Sequence, residues 1–214
     1  MRQRWIVVLK VLAHGSCLAP VAWLLWRLYL STSDPIALGP DPTHTVTFFT
    51  GQGTLRLLVI TLAITPVRKL IPKLGWLARF RRMLGLYAFF YACMHLLTYV
   101  CLYAGFSWGA MVDDISRRRF ITAGLAAWLI LVPLALTSTS WSIRKLGGKN
   151  WNRLHRLTYA AAIAGVIHYW WGVKTGVKTP LTITIVQGIL LAARPLLALK
   201  RQRVALKAQS TVTT

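Results

Sequence analysis

Acidic residues are almost missing from this chain. Four Asp and Glu stand against 26 Lys and Arg in 214 residues, leaving a formal net charge of +22. Charge as a whole is also scarce, at 14% of residues against roughly 25% in a soluble domain. A basic excess of this size invites a nucleic-acid reading. With 56% hydrophobic residues and a mean hydropathy of +0.53, however, the chain is too apolar for a soluble nucleic-acid binder. Positive charge held on one side of a lipid bilayer accounts for both facts. Cysteine is sparse too: Cys17, Cys93 and Cys101 lie scattered in or near apolar runs. They form no CxxC, which excludes a zinc ribbon and a dithiol redox motif, and no CxxCH, which excludes covalent haem attachment. They read as small residues facing lipid or core. No GxGxxG occurs and the loops are short, so the chain carries no nucleotide-binding domain of its own.

What is present is long apolar runs. A membrane crossing takes about 20 apolar residues, and six stretches qualify, near 5–29, 46–66, 83–104, 120–139, 154–172 and 180–199. The first resembles a secretion signal but is too long and continues past Pro20 with no A-x-A site, so it reads as a retained span. Pro35, Pro40, Pro42, the turn at 71–76, Gly147-Gly148 and Pro180 punctuate the intervals. Ten Trp and seven Tyr suit interfacial aromatic belts. The expected fold is all-α, an integral membrane bundle of about six transmembrane helices. Residues 1–200 form one domain and 201–214 a short basic and polar tail.

The charges orient it. Nineteen of the 26 basic residues fall in 2–10, 68–82, 144–156 and 194–207, all on one side of a six-span chain. Asp34, Asp41, Asp113 and Asp114 fall on the other side. The positive-inside rule makes both termini cytoplasmic. Only Arg117–Arg119 dissents, beside Asp113 and Asp114.

Ionisable groups inside a bilayer are costly and mark function. Counting about 1.5 Å per residue puts His95 roughly 18 Å up the third span and His168 roughly 21 Å up the fifth, a shared level in the outer half. His155 sits at the inner mouth, about 140° around the helix from His168. Two imidazoles on facing helices, with no third ligand at that depth, suit the axial pair of a noncovalent b-type haem rather than zinc. The competing reading is that each histidine only hydrogen-bonds a neighbouring helix. Arg81 and Arg82 face His155, where cations suit a phosphate or propionate, a flavin phosphate included, or anionic lipid headgroups. Arg56, near mid-membrane in the second span, has a haem propionate as a plausible partner, with snorkelling as the alternative. His14 is a weaker inner candidate, and His44 reads as solvated.

Several stretches carry a family resemblance. They are "LKVLAH" at 9–14, "FTGQGTLRLL" at 49–58, "ITPVRKL" at 64–70, "RRMLGLYAFFYACMHLLTY" at 81–99, "LTSTSWSIRKLGGKNWNRLHRLTY" at 136–159 and "IHYWW" at 167–171. In this order and spacing, across about 5–200, the chain resembles the MsrQ/YedZ family. These are haem-binding membrane subunits of periplasmic protein-methionine-sulfoxide reductases, within the ferric-reductase-like transmembrane proteins.

The resemblance implies an electron carrier of the bacterial inner membrane holding haem b, with FMN also associated. It implies a periplasmic molybdenum-containing catalytic partner that reduces methionine sulfoxide in oxidised proteins. His95, His155 and His168 match the family's haem-ligand candidates. Related two-haem ferric reductases carry a second histidine on the third span, and the corresponding "RFRRMLG" here has none. The electron donor is then membrane quinone, in its reduced form, or a separate cytosolic flavin reductase. The chain itself would need no substrate-reducing site. Two other functions compete: a stand-alone ferric or cupric metalloreductase, and a non-redox scaffold or permease.

Overall fold

The computed structural model describes residues 2–173 and 178–210, and among these it is helical without strands. Asp41 starts the second helix: its side chain accepts the His44 N–H at 2.9 Å, and Pro42 takes the first position, where its missing N–H costs nothing. Helix α1 spans Arg2–Leu30, α2 Pro42–Leu70, α3 Arg81–Thr98, α5 Arg119–Leu136, α7 Leu157–Gly172 and α8 Lys178–Ser210. These are the six predicted apolar runs. Five of the helices are long and apolar enough to cross a membrane: Arg4–Leu30, Pro42–Leu70, Arg81–Tyr103, Arg119–Leu136 and Lys178–Leu197. The exception, α7, has 16 residues, short of the about 20 that a crossing asks for. α8 runs on past the predicted start of the tail to Ser210.

Two further helices lie outside the predicted spans. α4, Trp108–Arg117, begins on the Ser107 hydroxyl, which accepts the Ala110 N–H. α6, Ser140–Leu154, begins on Thr139, which accepts the Ser142 N–H at 3.1 Å. Gly147, at φ +72, interrupts α6 where the glycine pair was expected to break the chain. A 3₁₀ segment, Pro72–Arg79, fills the expected turn before α3, and a π turn, Tyr99–Tyr103, prolongs α3 above His95.

α2 packs along α3, and α5 along α7; α3 meets α5, and α8 covers α2 and α7. The core runs through Leu57, Leu58, Ala88, Tyr91, Leu131, Leu134 and Ala161. α1 joins at the edge. The Tyr91 hydroxyl, on a side chain only 2% exposed, donates to the Cys17 carbonyl at 2.9 Å, and His14 Nδ1 bonds the Tyr87 hydroxyl at 2.7 Å. Trp5, Trp23, Trp26, Trp108 and Trp171 are exposed, leaving the outside of the bundle apolar and aromatic. Such a surface needs a lipid surround.

Candidate cofactor site

His95 on α3 and His168 on α7 face one another, with ring centroids 5.8 Å apart and planes at 79°. Each ring is fixed from behind by a main-chain carbonyl of a different helix. His95 Nδ1 lies 2.9 Å from the Thr47 carbonyl of α2, and His168 Nδ1 lies 2.6 Å from the Phe120 carbonyl of α5. A carbonyl only accepts, so both Nδ1 atoms must carry the proton and both Nε2 atoms keep a free lone pair. Among the described residues neither Nε2 makes a hydrogen bond, although Thr50 Oγ1 gives His95 Nδ1 a second, longer contact at 3.4 Å. An imidazole that donates from Nδ1 to a carbonyl is oriented, and made more basic, as a metal ligand.

Glycine lets the rings lie this close to their anchors. A Cβ on Gly51 would stand 3.1 Å from His95 Cε1, and one on Gly124 would stand 2.6 Å from His168 Nδ1. Gly53 gives the same room to Tyr91, at 2.5 Å. Small residues at a membrane helix interface allow this approach.

Two paired imidazoles are compatible with a porphyrin iron. Among the described residues no group of three or more His, Cys, Asp or Glu could hold a metal ion. Zinc wants three or four protein ligands, whereas haem iron brings four ring nitrogens and needs only axial ones. Two metal–imidazole bonds of about 2 Å, back to back, set ring centroids on the order of 6 Å apart. The observed 5.8 Å is close to that spacing.

The remaining predicted site residues lie elsewhere. His155 closes α6, stacked on Trp151 at 3.9 Å, with Nε2 3.1 Å from Thr137 Oγ1; the Trp151 indole donates to the Thr137 carbonyl at 2.8 Å. His155 thus precedes α7, more than three helical turns from His168, and among the described residues its ring pairs with Trp151 and no histidine. Of the two arginines expected opposite it, Arg81 lies within electrostatic reach. Arg82 diverges to line a groove of about 450 Å³ with Lys10, His14, Arg79, Tyr87 and Phe90. Arg56 lines a cavity between α2 and α8 with Gln52, Lys178, Thr179 and Thr182. His44 is exposed, as expected, with its ring stacked on Phe48 at 5.6 Å.

Sequence reasoning missed Arg194. Counted among the tail cations, it instead turns into the bundle: Nη1 donates to the Tyr159 hydroxyl, Nη2 donates to the Leu62 carbonyl at 2.7 Å, and the guanidinium lies 4.5 Å over the Tyr159 ring. Its Nε is buried without a partner. The available signal was a lone arginine inside the apolar "LLAARPLLAL" at 190–199.

Residues 50–166 match the family model for the ferric reductase like transmembrane component. Three curated proteins, each named protein-methionine-sulfoxide reductase heme-binding subunit MsrQ, are similar along most of the chain. That of Xanthomonas oryzae pv. oryzae (strain MAFF 311018) is 45% identical over 192 residues, covering 88% of this chain and 86% of the relative. That of Xanthomonas euvesicatoria pv. vesicatoria is 44% identical over the same shares. That of Rhodospirillum rubrum is 45% identical over 196 residues, 91% of this chain and 90% of its own.

Proposed function

Since the chain belongs to the ferric-reductase-like transmembrane family, and within it to the MsrQ haem-binding subunits, we propose that it carries electrons across the bacterial inner membrane to a protein-methionine-sulfoxide reductase. The reading places six helices in the bilayer, α1, α2, α3, α5, α7 and α8, with both termini cytoplasmic. The acceptor is a periplasmic molybdenum-containing catalytic subunit, and the overall outcome is repair of oxidised periplasmic proteins. The donor is membrane quinol or a cytosolic flavin reductase.

The observation that carries the reading is the pair of carbonyl-anchored imidazoles. His95 and His168 would hold a b-type haem, which would supply a one-electron couple. The chain's own part is orientation. Thr47 and Phe120 hold the two Nδ1 protons, which keeps each Nε2 unprotonated. α2 and α5, carrying Gly51 and Gly124, fix the spacing between the rings. Arg81 and His155 form a separate inner site, for which a second haem ligand is lacking. The FMN that accompanies the family is assigned to the inner groove, where Lys10, Arg79 and Arg82 offer a phosphate three cations beside the Tyr87 ring.

The test is the visible spectrum of detergent-purified protein with haem and flavin extracted and counted. A low-spin, bis-imidazole b-type spectrum is expected. The reduced protein should then be reoxidised by the periplasmic catalytic subunit. Colourless protein would favour the scaffold reading, and reduction of ferric ions with inertness toward the subunit would favour the metalloreductase.

A further inference from the structure

We infer that the cavity between α2 and α8 binds the carboxylates of the haem, fixing which edge of the porphyrin faces that seam. The inference rests on the haem reading above and extends it to Gln52, Arg56, Lys178, Thr179 and Thr182. The cavity, of about 300 Å³, is lined by these residues and Ile183.

Its position ties it to the histidine pair. Gln52 directly follows Gly51, which lies against the His95 ring. Tyr169 directly follows His168, and its ring lies 6.2 Å from that of Phe48 on α2. The cavity therefore begins at the residue that follows the His95 contact on α2.

Its chemistry calls for an anion. Arg56 and Lys178 come from different helices and share the cavity with two hydroxyls and no carboxylate. The chain's four acids are committed elsewhere. Asp113 pairs with Arg117 at 2.6 Å, and Asp114 pairs with Arg118 at 3.0 Å and accepts from Tyr99. Asp41 caps α2, and Asp34 accepts the Ile36 N–H. Nothing among the described residues neutralises the two cations. A charge in a membrane-spanning helix is costly, and a bound counter-charge removes that cost.

A second observation points the same way. Gln52 is only 5% exposed, and its Oε1 is buried without a hydrogen-bond partner. Leaving such an atom unmatched costs about 1–3 kcal/mol. A half-turn of the amide exchanges that oxygen for the NH₂ group, which can donate to an arriving carboxylate. Snorkelling by Arg56 alone would need neither a buried glutamine nor a lysine from α8.

A porphyrin bears its two propionates on one edge, so an anion site on one seam selects among rotations about the His95–His168 axis. The test is reconstitution of the full-length protein, expressed under haem limitation, with iron protoporphyrin IX and with its dimethyl ester, followed at the Soret band. The wild type should prefer the free acid at least about tenfold. Arg56→Gln with Lys178→Gln should erase that preference while leaving ester binding unchanged, and ester binding also certifies the fold. Arg56→Lys with Lys178→Arg should keep it. Gln52→Leu should reduce it in part and serves as the second variant should the double one fail to bind the ester. Equal wild-type affinity for acid and ester, or a preference that survives neutralisation, overturns the inference. Failure of both porphyrins to give a bis-imidazole spectrum with the wild type would instead overturn the haem reading beneath it.

Discussion

Gly124 lies directly against His168: a Cβ added to it would stand 2.6 Å from the ring nitrogen that bonds the Phe120 carbonyl. The close packing of α5 on α7 and the orientation of the His168 ring are therefore one feature. The corresponding Gly51–His95 approach is looser, at 3.1 Å.

This difference sets an order. Gly124→Ala must push the imidazole off its carbonyl, a strain of about 1–3 kcal/mol, while Gly51→Ala asks His95 to give by a few tenths of an ångström. The ratio of Soret to protein absorbance should fall strongly in Gly124→Ala and mildly in Gly51→Ala. Equal ratios would show that the glycines do not position the ligands.

Removal of the proposed ligands should separate the two levels. His95→Ala and His168→Ala should each abolish the bound bis-imidazole spectrum. His155→Ala should retain it, since that ring is engaged with Thr137 and Trp151 at the other end of α7. Equal and complete loss in all three would contradict the separation.

Arg194 should matter for stability. Tyr159→Phe leaves a half-buried guanidinium donor without its acceptor, at about 1–3 kcal/mol, and the melting midpoint in detergent should drop by about 2–4 °C for each kcal/mol. Arg194→Met combined with Tyr159→Phe should cost less than the sum of the two, because the residues share one interaction. Strict additivity would argue that they act independently.

Sidedness can be read by labelling. With the three native cysteines replaced, Ser116→Cys on α4 should react with a membrane-impermeant maleimide in spheroplasts. Lys145→Cys on α6 should react only after lysis. The opposite pattern would invert the proposed orientation.

The sequence alone determined the helices that hydropathy describes. α2, α3 and α5 begin and end within a few residues of their apolar runs, because a span is specified by composition along the chain, which needs no partner. Level matching of His95 with His168 was legible for the same reason: rise per residue is constant in a helix, so depth can be counted. α4 and α6 were not legible, since short helices held by caps and half-polar surfaces leave no hydropathy signal.

Only the tertiary structure decided which way side chains turn. Adjacent residues step by about 100°, so Arg81 and Arg82, neighbours in sequence, serve different places: one near His155, the other a groove against α1. Arg194 turned inward because Tyr159 and Leu62, on other helices, supplied acceptors. The anchoring of both imidazoles by the Thr47 and Phe120 carbonyls belongs to the same class. Every residue has a carbonyl, so no residue type announces which one a packed helix will present.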